Sequence, residues 1–511
     1  MEADYIVVGT GSAGSVLANR LSADPAASVV VLEAGPKDKD KFIHIPAAFA
    51  KLFRSEVDWD YRTEPQKQLD GREIYWPRGK TLGGSSSLNA MMWVRGFAAD
   101  YDEWGALASE DWDFAHVAEY FAKIEAGPLV ISPQRSPRSS TAAWLHAVRE
   151  CGYDVENPNC DAPQGFCQTL VTQRRGARWS TADAYLKPAL RRPNLTLHTE
   201  AVATRVLFDG RRATGVEFVQ LGQKRVVRAR REVILAGGAV NSPQLLMLSG
   251  VGDREQLNRH GIDVVADVPE VGQNLMDHLA VPMGFDVPAD SLFAAEKPAE
   301  LLNYLLRRRG MLTSNVGEAY GFVRSRAELD IPDLELIFAP APFFDEAIGD
   351  PHDRHAVVMG PILVKPRSRG SITLKSSDPL EKPAIDPQYL SDDAGADRAA
   401  LMAGLEMTAR IARSAAMSGV LGRIARPRGA TGLNDDTFEA AINECSQTLY
   451  HPVGTCRMGS DDASVVDPAL RVRGVDGLRV ADASVMPSII RGHTHAPCVL
   501  IGEKASDLIR S

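Results

Sequence analysis

Cysteine is scarce in this sequence, and the cysteines that occur form no pattern. Six are spread over 511 residues, and no two of them form a Cys-x-x-Cys pair. This spacing excludes a disulfide scaffold and lacks the signatures of a structural zinc site. We therefore expect no metal site.

A surplus of positive charge is lacking as well. The formal net charge is -9, and the short arginine clusters at residues 230–231 and 307–309 are not interleaved with aromatic residues. We interpret both clusters as solvated surface. This charge balance argues against a nucleic-acid partner.

Long hydrophobic runs are also missing. No apolar stretch is long and uncharged enough to cross a bilayer. The first predicted strand begins within a few residues of Met1, which leaves no room for a signal or transit peptide. These observations predict a cytoplasmic protein. Peripheral membrane contact stays open, because a short loop could provide it without a hydrophobic run.

The remaining composition is that of an ordinary globular protein. Hydrophobic residues make up 44% and charged residues 24% of the chain. A chain of this length exceeds one simple core, so two or more domains are expected.

The front of the chain has the pattern of a complete βαβ unit. Residues 5–8 and 29–32 are short apolar runs typical of buried strands, and residues 15–22 have the apolar spacing of a helix. Between them stands the Gly-x-Gly-x-x-Gly stretch of residues 9–14, and Glu33 follows Gly14 by nineteen residues. Strand, glycines, helix, strand and acid in this order predict a dinucleotide site.

Each glycine of that stretch has a physical role in such a site. Gly9 permits the tight turn, Gly11 lets the backbone approach a pyrophosphate, and Gly14 lets helix and strand pack closely. The helix N-terminus offers free N–H groups to the phosphates, and Glu33 can accept hydrogen bonds from a ribose diol. FAD and NAD share these groups, so this unit alone leaves the choice between them open.

Two further stretches in the first third of the chain suggest contact with a ligand. Residues 34–78 mix turn residues with aromatics, which fits either anchors for a long loop or part of a substrate entrance. Residues 79–92 then bring adjacent glycines and three serines, so that bare backbone and hydroxyls can contact a polar ligand.

The remaining regular elements are read from periodicity. The pattern predicts helices over 100–121, 301–306, 398–413 and 498–509, and strands over 194–206, 215–219, 225–229, 232–238, 334–338 and 371–374.

Residues 79–102 and 238–252 resemble the two signature stretches of the glucose–methanol–choline (GMC) oxidoreductase family, and most closely those of bacterial choline-dehydrogenase-like members. With the first motif and the C-terminus, the resemblance covers nearly the whole chain. It implies FAD as the cofactor. It also implies an α/β fold: a Rossmann-like FAD-binding domain joined to a substrate domain built on an antiparallel sheet flanked by helices. The expected FAD-binding domain comprises residues 1–155, 192–284 and 447–511, and the substrate domain comprises 156–191 and 285–446.

The resemblance also implies which residues hold FAD. They are Gly9, Gly11, Ser12, Ala13, Gly14, Glu33, Ala34, Arg78, Gly83, Gly84, Ser85, Asn89, Ala90, Val202, Ala236, Asp482, Ala483, His495 and Pro497. Members with covalently attached flavin carry a histidine where this chain has Leu88, so FAD is expected to be noncovalent. Ala90 replaces a hydroxyl-bearing residue, which weakens choline as the specific substrate.

The catalytic residues are expected near the C-terminus. His451 matches the base of the family's His-Pro-x-Gly-Thr stretch, and His495 matches the second member of the catalytic pair, although the two roles could be shared or exchanged. His493 is interpreted as supporting them. A neutral imidazole can take the proton of an alcohol, and a second polar group can stabilise the charge that develops on its oxygen. His451 is expected to act with an ordinary imidazole pKa.

Glu318 is a candidate for binding a quaternary ammonium group, with a hydrogen-bonded strand acid as the alternative.

The predicted function is oxidation of an alcohol CH–OH group to a carbonyl, with electrons passed to a quinone-like acceptor or to oxygen. One alternative is a hydroxynitrile lyase, which shares this fold without net redox chemistry. Another is a flavin-holding protein without turnover. The sequence does not identify the alcohol or the oligomeric state.

Overall fold

The first strand of the chain lies inside a parallel sheet. In the computed structural model, which describes residues 1–157, 159–345, 349 and 352–510, Glu2–Val8 pairs in parallel with Val29–Leu32 on one side and Gln223–Leu235 on the other. Over the described residues this first sheet has the strands Leu195–His198, Val29–Leu32, Glu2–Val8, Gln223–Leu235, Arg212–Gln220 and Ala201–Asp209 in that order, with Leu478–Val480 beside the end of Gln223–Leu235. The predicted βαβ unit is thus confirmed at the centre of this sheet.

The crossover helix of that unit is Ser12–Leu21, which begins directly after the glycine turn. It packs against the closing helix His495–Arg510. A Cβ atom at Gly502 would lie 2.8 Å from the carbonyl oxygen of Ala13, so the two helices approach closely because this position has no side chain. The closing helix therefore brings its first turn, at His495, next to the glycine turn.

A second, antiparallel sheet lies over the carboxyl ends of the parallel strands. Its strands in the described residues are Ile424–Arg426, Met283–Asp286, Ala356–Leu363, Leu334–Ala339, Ala319–Val323 and Gly165–Gln168 in spatial order, with Leu279–Ala280 and Gln447–Thr448 paired alongside. Ala356–Leu363 is buried at every position, because helix Ala396–Ala412 packs against this strand. The expected antiparallel second sheet is present.

The other helices connect and cover these sheets. They are Lys41–His44, Ala98–Leu107, Phe114–Glu125, Ser139–Glu150, Lys187–Ala189, Gly238–Leu248, Arg254–Arg259, Pro298–Arg307, Ala415–Ser418 and Asp435–Cys445. Short two-stranded sheets pair Tyr61–Arg62 with Tyr75–Trp76, Ser132–Pro133 with Leu170–Val171, Gln173–Arg174 with Ala177–Arg178, Val251–Gly252 with Ala266–Asp267, and Ser371–Thr373 with Ala384–Asp386.

Two predictions were wrong about where strands are interrupted. Residues 194–206 form two strands, because Glu200 takes a left-handed φ of 55° and its N–H donates to the carbonyl of Gly35. Conversely, residues 225–229 and 232–238, predicted as separate strands, lie largely in the single strand Gln223–Leu235. Different neighbours pair with its two halves, Arg212–Gln220 with the first and Leu478–Val480 with the second.

The helix predicted over residues 100–121 is two helices, Ala98–Leu107 and Phe114–Glu125. Asp113 starts the second by accepting the backbone N–H of His116.

The proposed domain division follows the two sheets but cuts some strands. The boundary between residues 284 and 285 falls inside Met283–Asp286, a strand of the second sheet. Gln447–Thr448 was assigned to the FAD-binding part and pairs within the second sheet. The division into domains stays a prediction, and its boundaries do not coincide with the ends of these strands.

Candidate active site

A cavity of about 550 Å³ lies between the two sheets. Val8, Leu32 and Leu235, at the carboxyl ends of three parallel strands, line one side, and Ile337 and Val358 of the second sheet line the other. Ligands bind at the carboxyl ends of strands in open α/β sheets, and this volume is within the range of small-molecule sites.

The glycine turn leaves bare backbone against this cavity. Gly9 has a φ of 103°, and a Cβ there would lie 2.4 Å from the carbonyl oxygen of Ala236. A Cβ at Gly14 would lie 2.1 Å from the oxygen of Gly9, whereas a Cβ at Gly11 would meet no atom within 4 Å. Gly9 and Gly14 are therefore fixed by packing. The space at Gly11 leaves room for a phosphate, as the sequence predicts.

The serine-rich loop folds directly over that turn. A Cβ at Gly84 would lie 2.7 Å from the Cα of Gly11, so two stretches distant in sequence meet backbone to backbone. Ser85 and Asn89 of the loop line the cavity.

Glu33 is a fixed carboxylate at the cavity edge. It is 5% exposed, and its oxygens accept from Thr10 N at 3.0 Å, Thr10 Oγ1 at 2.5 Å and Gly35 N at 2.9 Å. Burial raises the pKa of Glu33, and these hydrogen bonds oppose that shift. Oε2 accepts both Thr10 bonds, whereas Oε1 accepts only the Gly35 bond and keeps a second lone pair, so Glu33 can still accept from a ribose hydroxyl.

Asp482 is anchored in a similar way. It accepts from Gly238 N at 2.8 Å and from Ser242 Oγ at 2.6 Å, while Ser484 binds its other oxygen. It caps the turn Ala483–Val485, which follows strand Leu478–Val480. This ties the C-terminal segment to helix Gly238–Leu248.

Most residues expected to bind the cofactor border the cavity. They are Gly9, Gly11, Ser12, Ala13, Glu33, Ala34, Arg78, Gly84, Ser85, Asn89, Ala90, Val202, Ala236, Asp482, Ala483 and His495. Gly14, Gly83 and Pro497 do not line it: Gly14 and Gly83 shape the turns behind it, and Pro497 is buried in the first turn of the closing helix. Sequence reasoning missed Thr10, although it stands within the first motif.

His451 stands at the other end of the cavity within a buried polar cluster. Its Nδ1 lies 2.9 Å from Nδ1 of His278, and its backbone N–H donates to Asp277 Oδ1 at 2.8 Å. His278 is fully buried behind it, and the Tyr389 hydroxyl donates to Asp277 from behind. Sequence reasoning missed Asp277 and His278, whose only signal in the sequence is that two polar residues stand side by side.

Burial sets the protonation of these rings. It lowers the pKa of His451 well below its ordinary value, and the neighbouring His493, His278 and Arg78 lower it further. Burial likewise lowers the pKa of His278 to about 3. The expectation of an ordinary pKa for His451 is therefore wrong, because the ring is desolvated among other nitrogen bases.

The histidine that packs against His451 is not the one expected from the sequence, and the catalytic pair of His451 and His495 stays a prediction. The imidazole next to His451 is that of His493, with ring centroids 4.8 Å apart at 81°, and both rings line the cavity. His493 Nε2 lies 3.1 Å from the buried carboxylate of Glu335. His495 also lines the cavity, but its Nδ1 lies 2.9 Å from Ser12 Oγ at the glycine turn.

His495 therefore belongs to the cofactor end of the site. Its Nε2 is buried and has no hydrogen-bond partner among the described residues. Burial lowers the pKa of His495 to about 4, and the charge of Arg178 acts in the same direction. The two histidines diverge because His495 begins the closing helix, whereas His493 lies in the turn before it.

Glu318 does not line the cavity, although its neighbours Val316 and Gly317 do. It is 1% exposed and accepts from Arg138 N at 2.7 Å, Thr141 Oγ1 at 2.6 Å and Ser314 Oγ at 2.6 Å. These bonds match the alternative of a hydrogen-bonded acid, and the quaternary-ammonium role of Glu318 stays a prediction.

The cavity wall beside the histidines is apolar. Rings of Phe343, Phe49, Phe53 and Tyr450 follow one another at 5.8, 5.8 and 6.0 Å, and Tyr450 precedes His451 in the chain. Phe49 and Val316 belong to one hydrophobic cluster, against which Phe53, Phe343 and Ala90 pack. This continuous wall leads to the histidine pair.

Two kinds of feature are missing from the described residues. No group of three or more His, Cys, Asp or Glu side chains is arranged to hold a metal ion. Within the same residues, no helix has the length and apolar character needed to cross a membrane.

Comparison with known proteins places the chain in a family. The N-terminal and C-terminal models of the GMC oxidoreductase family match residues 3–280 and 366–502. An uncharacterized GMC-type oxidoreductase of Mycobacterium tuberculosis is 68% identical over 526 aligned positions, covering 100% of this chain and 99% of the relative. An alcohol dehydrogenase [acceptor] of Pseudomonas putida is 42% identical over 99% of this chain and 95% of the relative. The mitochondrial choline dehydrogenase of Homo sapiens is 41% identical over 100% and 90%.

Solved structures agree with this placement. A pyridoxine 4-oxidase from Mesorbium loti superposes with a TM-score of 0.88 at 30% identity, covering 99% of this chain and 98% of the other. A formate oxidase variant from Aspergillus oryzae, studied for FAD modification, gives 0.92 at 29% identity over 100% and 98%. The family predicted from the sequence is confirmed, and this chain is an enzyme of the GMC oxidoreductase family.

Proposed function

We propose that this enzyme binds FAD and oxidises the CH–OH group of an alcohol to a carbonyl. The observation that carries the proposal is the position of the His451–His493 pair at one end of a cavity whose other end is the glycine turn and Glu33. Alcohol oxidation needs both ends, a cofactor that takes a hydride and a base that takes a proton.

The cofactor end fits FAD. Room at Gly11, the fixed carboxylate of Glu33 and the unpartnered Nε2 of His495 are features that a bound dinucleotide would use. Bound FAD would supply the hydride acceptor. Gly11, Ser12, Glu33 and Asp482 with their neighbours would hold it.

We further propose that FAD is held noncovalently. Leu88 stands in a small apolar cluster with Ile43, Leu52 and Val57 and offers no nucleophile. Acid precipitation should leave the yellow colour in the supernatant. Colour retained in the protein pellet would contradict noncovalent binding.

The His278–His451 contact supports Nε2 of His451 as the base, because the contact engages Nδ1. His278 Nε2 is buried and has no hydrogen-bond partner among the described residues. A neutral His278 protonated at this Nε2 would offer the lone pair of its Nδ1 to His451. His278 Nδ1 then accepts from Nδ1–H of His451, which leaves the Nε2 lone pair of His451 free for the substrate.

In this arrangement His451 takes the alcohol proton. The lowered pKa keeps the ring neutral, and therefore able to act as a base, down to acidic pH. We place the alcohol oxygen between the two rings, where His493 is the second polar group on it. Glu335 fixes the His493 ring through the contact at Nε2. Burial of both rings strengthens such contacts as charge develops on the oxygen.

The apolar wall favours a neutral alcohol with an apolar body. The rings of Phe49, Phe53 and Phe343 in this wall carry no charge. Glu318, the candidate partner for a quaternary ammonium, lies outside the cavity. Choline should therefore be a poorer substrate than an uncharged alcohol of similar length.

The test is anaerobic mixing of the purified yellow protein with a panel of alcohols that includes choline, followed by admission of air. Bleaching of the flavin by an uncharged alcohol supports the proposal. Rapid recovery of colour in air identifies oxygen as the acceptor, whereas slow recovery that a quinone accelerates identifies a quinone-like acceptor. No bleaching, combined with cleavage of a cyanohydrin, would replace the proposal with the lyase alternative.

A further inference from the structure

The helix Pro298–Arg307 has its apolar residues on the outside. Leu301, Leu302, Leu305 and Leu306 are 45%, 57%, 59% and 74% exposed, while Tyr304 on the opposite face is 1% exposed. Soluble proteins rarely present large side chains contiguously in this way, and such a patch marks an interaction site.

Polar contacts hold this helix to the rest of the protein. Glu300 Oε2 accepts from Met311 N at 2.8 Å, and the Tyr304 hydroxyl donates to the carbonyl of His44 at 3.2 Å. Asn303, also on the inner face, borders Gly310. The four leucines therefore take little part in attaching the helix, and their outward position is part of the fold.

The charges beside the leucines are mainly positive. Arg307, Arg308 and Arg309 follow the leucines directly, and over the described part of the chain no carboxylate lies within 4.0 Å of their guanidinium groups. Lys297 is exposed at the start of the helix, and the neighbouring Glu296 is neutralised by Lys51 at 2.7 Å. This local surplus contrasts with the net charge of -9 for the whole chain.

We propose that the Pro298–Arg307 helix docks the enzyme on a membrane surface that contains anionic lipid. An amphipathic helix lying in the bilayer interface inserts an apolar face and pairs its basic residues with lipid headgroups. A second copy of this chain is the less suitable occupant. In a symmetric contact through the same face, the arginine triplet would meet either its own copy or Lys297 of the second copy, and neither supplies complementary negative charge.

Docking at this helix would place the apolar wall of the cavity near the lipid. Tyr304 and Leu312 belong to the same hydrophobic cluster as Phe49 and Val316, which line the cavity. An apolar alcohol or a quinone dissolved in the membrane would then have a short path to the site. The inference itself depends on the surface of the helix and not on the proposed reaction.

The first arm of the test measures the apolar face. FAD-loaded protein is floated with vesicles of phosphatidylcholine and phosphatidylglycerol, and with vesicles of phosphatidylcholine alone. We expect binding to the anionic vesicles, and Leu305→Gln/Leu306→Gln should weaken it about tenfold. Leu221→Gln is the matched control, since Leu221 is 77% exposed in a hairpin turn elsewhere and should change nothing.

The second arm measures the charge. Arg307→Gln/Arg309→Gln should weaken binding to anionic vesicles by about tenfold, and added salt should weaken the wild-type protein in the same way. Arg205→Gln/Arg211→Gln removes the same charge from exposed positions of the first sheet and should have little effect.

Several results would overturn the proposal. Failure of the wild-type protein to float with anionic vesicles would do so, as would unchanged flotation of the leucine variant. If the protein is a dimer that the leucine variant converts to a monomer, and no vesicle binding occurs, the face is a contact between copies. Oxidation of a water-soluble alcohol should be equal in all variants, which separates this test from that of the catalytic proposal.

Discussion

The sharpest prediction concerns the two histidines that the sequence could not tell apart. His493→Ala removes the ring that lies 4.8 Å from His451, together with the second polar contact to the alcohol oxygen. Loss of one such group from a buried site slows the chemical step about 100-fold to 1,000-fold. We therefore expect the rate constant for flavin reduction, measured by anaerobic stopped flow at saturating alcohol, to fall by about that factor.

His495→Ala should behave differently. It removes the contact of 2.9 Å to Ser12 Oγ at the cofactor end. One neutral hydrogen bond contributes about 1 kcal/mol net, so FAD affinity should fall about fivefold while the rate of flavin reduction stays within about threefold. The readouts therefore separate the two residues, one in the rate of reduction and the other in FAD retention.

Folding must be controlled in the first variant, because His493→Ala leaves Glu335 buried without its partner. His493→Gln keeps a polar group there and should recover part of the rate, with FAD content and circular dichroism unchanged. The reasoning is refuted if His493→Ala reduces its flavin at the wild-type rate while His495→Ala does not.

Four further outcomes are expected. His451→Ala should retain FAD but lose flavin reduction by about 1,000-fold, and a full single-turnover rate would remove His451 as the base. His278→Phe should slow reduction more than about tenfold and alter its pH profile, since His451 Nδ1–H loses its acceptor. Gly11→Ala should fold normally and bind FAD weakly, because its Cβ meets only open space, whereas Gly14→Ala should lower the thermal midpoint through a contact of 2.1 Å. Finally, the pKa of His495 falls from the ordinary 6.5 to about 4 on folding, so the unfolded chain binds more protons below pH 6.5. The free energy of unfolding should then decrease from pH 6.5 toward pH 4, by about 3 kcal/mol for this group. Over the same pH range the urea midpoint of His495→Gln should decrease less than that of the wild-type protein. Equal pH dependence in the variant and the wild-type protein would contradict this.

The front of the chain could be predicted from the sequence because its physics is local. The two apolar runs, the helix and the glycines of residues 9–14 constrain one another within a few turns of chain, and Glu2–Val8, Ser12–Leu21 and Val29–Leu32 formed as expected. The same holds for helix Ala396–Ala412 and for the antiparallel second sheet that the family resemblance implied.

Features that depend on distant contacts were missed or misjudged. The break at Glu200 exists because its backbone N–H bonds to Gly35 across the sheet, and alternation along residues 194–206 carries no trace of that bond. His278 enters the site from a segment more than 170 positions before His451 and becomes visible only where the second sheet folds back. His493 and His495 stand two residues apart, and the start of the closing helix decides which of them faces His451.

The helix Pro298–Arg307 shows most clearly what sequence determined and what tertiary structure decided. Its leucine spacing predicts a helix with one apolar face, because periodicity is measured around the helix's own axis. Nothing in that spacing says on which side the protein lies. The bonds of Glu300 to Met311 and of Tyr304 to His44 turn the polar face inward. The leucines face outward because of these two bonds, which exist only in the folded chain.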